Sequence, residues 1–432
     1  MKTYIEPNRS DWSEITTRPV LDHLSLVSKV SEVLTSIKKE GDAAVSQYTM
    51  AFDGVQLDQF AITAEEWMEA ENLITVPLKE AIQQAARNIE TFHKEQVLDM
   101  DPIETQPGVQ CWRKSVGIEK VGLYIPGGSA PLFSTILMLG IPARIAGCEE
   151  VVLCSPPDKN GKLHPAILYT AQLVGIQKVY KIGGVQAIGA MAFGTQTVPK
   201  VFKIFGPGNQ YVTCAKELVQ RMGTAIDMPA GPSEVMVIAD ENARAEYVAA
   251  DLLSQAEHGP DSQALMITTS TEIARQVEAE VLQQLAELPR KQIAEKALTH
   301  SKLIVVKSME EAVELANIYA ADHLIISTSD PSSVACKIKN AGSVFLGNYS
   351  PESVGDYASG TNHTLPTNGY AVAYSGVSLD SFVRKITFQQ LSPEGLQGIG
   401  DTVIQMAEAE GLKGHALAVS RRLKKIGSAS TN

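Results

Sequence analysis

Residues 200–208 read KVFKIFGPG, a short strand-like run that ends in glycine and proline. Three runs of the same make precede it: VGLYIPGG (121–128), EVVLCSPP (150–157) and KVYKIGG (178–184). Helical patterns such as STILMLGIPARIAGC separate them. Strands that alternate with helices and finish on turn-forming residues predict parallel β-α-β units, because a parallel partner is reached only by a crossover. A second series follows: SEVMVIAD (233–240), SQALMITTS (262–270), KLIVVKS (302–308), HLIIST (323–328) and AGSVFLGN (341–348). The expectation is an α/β chain with two doubly wound domains in tandem, residues 116–232 and 233–350, and a functional cleft between them.

The flanks differ in texture. Apolar spacings of three and four in LSLVSKVSEVLTSIKKEG (24–41) and VPLKEAIQQAARNIETFHKEQVL (76–98) predict a mainly helical N-terminal region over 1–115. After Gly347 comes NYSPESVGDYASGTNHTLPTNGYAVAYSG, poor in apolar residues. A loop this long in a compact protein is usually functional or exchanged with a neighbour. Helical stretches at 393–410 and 412–425 complete a last region, 351–432, of loop and C-terminal helical tail.

Composition narrows the function. The 432 residues, 44% hydrophobic and 20% charged, describe a globular chain with real cores and a length prior of roughly three domains. A formal charge of −12 argues against a nucleic-acid surface, which needs clustered Lys and Arg, and makes small molecules the expected partners. No stretch of 18 apolar residues suggests a membrane span, and MKTYIEPNRSDW has no apolar h-region, so a cytoplasmic location is expected. Five cysteines without a C-x-x-C argue against disulfides and against a thiolate zinc site.

The dinucleotide fingerprint G-x-G-x-x-G is missing. GPGNQY (206–211) lacks its third glycine and GGVQAIG (183–189) has the wrong spacing. Both still lead from a strand end into a helix, where free N–H groups attract phosphate, although a plain tight turn reads the same way. In LLSQAEHGPDSQ (252–263), Gln255 and His258 share a helical face at a spacing of three. They are either a buried polar pair or two ligands of one small object. Among eight histidines, His23, His93, His164 and His300 sit in ordinary contexts, whereas His258, His323, His363 and His415 keep acidic company. A site drawn from these would offer zinc nitrogen and oxygen donors and no sulfur.

Six motifs, GLYIPGGSAPL, FGPGNQYV, AGPSEV, AEHGPDSQ, GDYASGTNHTLPT and EAEGLKGHALAV, together resemble the histidinol dehydrogenase family, over nearly the whole chain from about residue 25. The resemblance implies two tandem incomplete Rossmann-like domains, which accounts for the missing fingerprint. It also implies a zinc-containing homodimer with sites shared between chains, oxidising L-histidinol to L-histidine with NAD through an aldehyde kept on the enzyme. By motif, Gln255, His258, Asp356 and His415 match the zinc ligands. Ser233, His363 and Glu410 match substrate contacts, as do the ligands themselves and His323. Tyr124, Gln186 and Asn209 match positions that contact the dinucleotide.

The chemistry suits these residue types. An imidazole with an ordinary pKa of about 6.5 can take a hydroxyl proton near neutrality, and His323 is the expected base. Asp322, beside it, is the expected helper in deprotonating the water that adds to the aldehyde. Neighbours in a regular strand point to opposite faces, so both serve one site only if the pair lies at an irregular strand entry. The family usually has glutamate here, in a P-E-H-L context, where this chain reads AADHL. The shorter acid puts the second oxidation in question. Alternatives are a relative that oxidises another small polar alcohol, or a silent metabolite-binding module.

Overall fold

The computed structural model describes residues 1–19, 23–97, 100–127, 130–229 and 231–429. Leu98 at the end of the second helical pattern, Gly128 and Ser129 of GLYIPGGSAPL and Ala230 of AGPSEV lie outside the described residues. By internal packing the chain forms a larger unit, Met1–Gln96 with Ile118–Phe382, and a smaller one, Val97–Gly117 with Val383–Asn432.

The strands in chain order are β1 (Lys2–Ile5), β2 (Ile103–Gln106), β3 (Val109–Gly117), β4 (Lys120–Tyr124), β5 (Glu150–Ser155), β6 (Lys178–Lys181) and β7 (Lys203–Phe205). There follow β8 (Ala225–Ile226), β9 (Glu234–Ala239), β10 (Gln263–Thr268), β11 (Lys302–Val305), β12 (His323–Ser327), β13 (Ser343–Leu346) and β14 (Val383–Leu391). The larger unit contains two wholly parallel sheets, ordered β6-β5-β4-β7-β8 and β1-β11-β10-β9-β12-β13. The expected two α/β series are therefore present.

Their strands are apolar almost end to end because helices cover both faces. Along β4 and its neighbours, Tyr124, Val152, Cys154 and Ile204 face one core while Val121, Leu123, Leu153 and Phe205 face the other. In the second sheet Val235, Val237, Met266 and Ile325 pack opposite Met236, Ile238, Ile267 and Leu324. Helix His23–Glu40, the expected amphipathic segment, lays Leu26, Val30, Val33, Leu34 and Ile37 on the first core. Among the described residues no helix is long and apolar enough to cross a membrane.

Several elements in the flanks were not legible in the periodicity: β2 and most of β3 arise in the region read as mainly helical, and β14 in the region read as loop and helical tail. β1 joins the edge of the second sheet from the region read as mainly helical. Helix Glu352–Tyr357 interrupts the polar segment read as loop. At four and six residues, β1 and this helix are too short to show a period.

The smaller unit is an antiparallel sheet, β14-β3-β2, with helices Pro393–Ala409 and Lys413–Ala429. Trp112 on β3 stacks on Phe388 of β14 at 5.4 Å. Gly400 lets the two helices approach, since a Cβ there would lie 2.7 Å from Leu423.

Candidate active site

The order of the first sheet reverses between β4 and β7, and ligands of such sheets bind beyond the carboxyl ends at that point. A cavity of 840 Å³ lies there, and Tyr124, Gln186 and Asn209 all line it. Asn209 caps helix Gln210–Arg221, its Oδ1 accepting from the N–H groups of Tyr211 (3.0 Å) and Val212 (3.2 Å). The Tyr124 hydroxyl accepts from the Gly184 N–H at 3.2 Å, and burial pushes its pKa up to about 12, so it keeps its proton. Gln186 is fully buried and donates its amide to Asp53 at 2.9 Å, while its Oε1 has no hydrogen-bond partner among the described residues. Asp53 also lines the cavity. In the sequence it reads only as the end of a helix before Gly54.

The second cluster sits at the opposite edge of its own sheet, at the amino ends of β9 and β12. The carboxyl ends are closed instead by Asp240, whose Oδ2 accepts from Ser329 N–H (2.7 Å) and Oγ–H (2.8 Å). Before β12, Ala320 takes a left-handed conformation at φ 53°, the irregular entry that the Asp322–His323 pair needed. Asp322 accepts the backbone N–H of His323 at 2.7 Å through the same Oδ1 that lies 3.1 Å from His323 Nδ1. The two neighbours thus address one site. Gly342 fits behind them, since a Cβ there would stand 2.5 Å from the Asp322 carbonyl oxygen.

His323 is held on every side. Its Nε2 is 3.1 Å from Asp356 Oδ1. Its Nδ1 is 3.0 Å from the Gln255 amide nitrogen, which donates to the Glu234 carbonyl at 2.9 Å. Burial opposes a charged imidazole, yet the carboxylates of Asp322 and Asp356 at the two ring nitrogens raise its pKa well above the ordinary value. Ser233 is half-buried at the entry to β9, its carbonyl accepting from Gln263. Glu234 is fixed by Arg18 through Nε (2.5 Å) and Nη2 (2.9 Å), and Arg18 lies 4.0 Å over the Tyr319 ring. More than two hundred residues separate Arg18 from Glu234, and no sequence signal joined them.

Asp356, on helix Glu352–Tyr357, is drawn in from the polar segment. Burial would raise its pKa, but hydrogen bonding and charge from His323 hold it below the ordinary range. His363 is locked behind it, Nδ1 2.7 Å from the Asp356 carbonyl and Nε2 3.0 Å from Thr135 Oγ1. Burial lowers the His363 pKa. Glu352, also missed in the sequence, is buried beneath Asp356; it accepts from Ser254 Oγ at 2.5 Å, and burial lifts its carboxyl to about 8.

Asp251, one turn before Gln255, is pushed up to about 7 by burial. An unfolded aspartate titrates near ~3.9. The folded chain therefore holds this proton more tightly, and the stability it contributes is complete at low pH and lost as pH rises through about 7. Asp251→Asn is expected to melt a few degrees above the parent at about pH 8 and to converge on it only below about pH 4. Equal melting temperatures at the higher pH would contradict this.

His258 connects the two halves. It lines the same cavity as Tyr124, Gln186 and Asn209, and burial lowers its pKa while the charge of nearby Asp356 acts to raise it. The larger unit therefore brings together Gln255, His258, Asp322, His323, Asp356 and His363. Glu410 and His415 belong to the smaller unit, where both are exposed: Glu410 ends helix Pro393–Ala409 and His415 lies in the first turn of the next. Among the described residues no group of three His, Cys, Asp or Glu side chains is placed to hold a metal ion. The Gln255 Oε1 is nevertheless buried without a hydrogen-bond partner among the described residues, as a ligand atom without its ion would be.

Known proteins resemble this chain over nearly its whole length. The model of the family described as histidinol dehydrogenase matches residues 16–423. A histidinol dehydrogenase of Bacteroides thetaiotaomicron is 59% identical over 426 residues, 99% of this chain and all of its own. One of Yersinia pestis is 52% identical over 96% of this chain and 94% of its own. The crystal structure of histidinol dehydrogenase from Elizabethkingia anophelis superposes with a TM-score of 0.97 at 55% identity, covering 99% of both chains. The chain, an oxidoreductase by this relationship, belongs to the histidinol dehydrogenase family.

Proposed function

We propose that this chain oxidises L-histidinol to L-histidine in two successive steps, with NAD as acceptor and the aldehyde held between them. The observation that carries the reading is His258, which lines the cavity framed by Tyr124, Gln186 and Asn209 and also belongs to the His323–Asp356 cluster. A dinucleotide in that cavity and a substrate beside His323 would be neighbours.

In the first oxidation a hydride leaves the alcohol carbon, and His323, which must first give up the proton that its two carboxylates favour, takes the hydroxyl proton. Its bracketing carboxylates, Asp322 and Asp356, stabilise the imidazolium that results, and Asp322 also fixes the ring's orientation. The proton must then be passed on. Water adds to the aldehyde, and His323, with Asp322 balancing its charge, takes the second proton as the gem-diol loses its hydride. Each histidinol thus consumes one water and reduces two NAD. Ser233, His363 and Glu410 are assigned to substrate binding.

Gln255, His258 and Asp356 would hold a zinc ion, with His415 as fourth ligand. The donor set fits, because all are nitrogen or oxygen donors and the Gln255 Oε1 is buried without a partner among the described residues. Zinc, when bound, supplies a Lewis-acidic anchor for the substrate's imidazole and amine. The exposed Glu410 and His415 support a homodimer in which the second protomer contributes both. The protein is expected to form NADH from histidinol and NAD, to carry one zinc per chain by elemental analysis, and to lose activity when a chelator removes it. No NADH from histidinol would overturn the function, and a metal-free, fully active enzyme would overturn the zinc assignment.

A further inference from the structure

Beneath the cavity lies an ion pair that the reaction does not use. Lys216, on helix Gln210–Arg221, meets Asp227, just after β8, with Nζ 2.5 Å from Oδ1, and the two side chains are only 3% and 1% exposed. Burying two charges costs several kcal/mol of desolvation each, and apolar replacements of such pairs are often neutral or stabilising. Stability alone is thus a poor reason for it. What distinguishes this pair is where its remaining hydrogen bonds go. Lys216 donates to the Gly206 carbonyl at 2.8 Å, and Asp227 Oδ2 accepts the Gly206 N–H at 2.8 Å. Both polar groups of one residue are clamped in a closed ring.

Gly206 begins the Gly206–Asn209 turn of the FGPGN motif. Its φ of 124° suits only glycine, and a Cβ would stand 2.1 Å from the Tyr124 carbonyl oxygen. The turn is therefore pressed against the end of β4 on one side and held by the ion pair on the other. Tyr124 and Asn209, the cavity residues on either side of the strand-order reversal, have their spacing set through this one glycine.

We propose that Lys216 and Asp227 are positioning residues for dinucleotide binding, which clamp Gly206 so that the Asn209 turn and Tyr124 hold the cofactor at the proper separation. The inference rests on the reading of the cavity as the NAD site. A misplacement of about 1 Å in such a frame can cost up to roughly 100-fold.

The test measures steady-state kinetics and NAD binding at equilibrium for Asp227→Glu, Lys216→Met and the double variant Lys216→Met/Asp227→Asn. Asp227→Glu keeps the charge and lengthens the clamp by one methylene. It is expected to raise the KM for NAD about tenfold, with kcat at saturating NAD and the KM for histidinol little changed. The double variant, free of the buried unpaired charge, should melt above Lys216→Met yet keep a raised KM for NAD. A double variant whose NAD KM and affinity return to wild type would make the pair structural only, and so would an unaltered Asp227→Glu. A wild-type protein whose rate does not depend on NAD would remove the cavity reading and this inference together. A wild type that saturates with NAD beside unaffected variants would remove the inference alone.

Discussion

Replacing His323 with asparagine is expected to lower histidinol turnover by roughly 10²- to 10⁴-fold, the contribution of a positioned general base, and to leave NAD affinity unchanged. The residue is 5% exposed, and carboxylates at 3.1 Å face each ring nitrogen. Asparagine retains an amide that can donate to Asp322 or Asp356. It cannot take up a proton. The framing residues of the cavity assigned to the dinucleotide, Tyr124, Gln186 and Asn209, are all on the other α/β half, which is why binding should survive. A loss of less than about tenfold would assign the proton to another group, and a parallel loss of NAD affinity would show that the two halves are not separable.

The second large effect concerns the origin of the site. Asp356→Ala and His415→Ala should each be nearly inactive as pure proteins, because each removes a proposed zinc ligand. Unfolded and refolded together, they should regain about a quarter of wild-type activity if the dimer is two-fold symmetric and each site takes Asp356 from one chain and His415 from the other. Half of the randomly paired dimers are then mixed. In a mixed dimer one site receives both intact residues and the other receives both lesions. Sites built within single chains could not be restored by any pairing, so a mixture as inactive as its components would end the shared-site reading.

The parallel sheets were legible because strands covered on both faces are apolar throughout, as in MVIA and LMIT, and because glycine and proline punctuate the strand ends. The candidate cluster was legible where side chains of distinctive chemistry sat in short motifs: Gln255 with His258 at one helical spacing, His323 behind Asp322, Asp356 in GDYASG. What stayed hidden depends on tertiary contact. Arg18 reaches Glu234, Gln186 reaches Asp53, and Ser254 reaches Glu352, across 216, 133 and 98 residues. Nothing local marks such partners. The location of the second half of the site was hidden for a topological reason. The strand-end rule points to the carboxyl ends of β9 and β12, but Asp240 and Ser329 close that edge, and the candidate cluster lies at the amino ends, where Ala320 turns the chain into β12.

The central claim, two oxidations at one site that retains the aldehyde, is tested most directly by counting NADH formed per histidinol consumed while free aldehyde is monitored with a trapping reagent. Two NADH for each histidinol, with histidine as product and negligible trapped aldehyde, is the predicted result. One NADH for each histidinol, with aldehyde accumulating in solution, would contradict it.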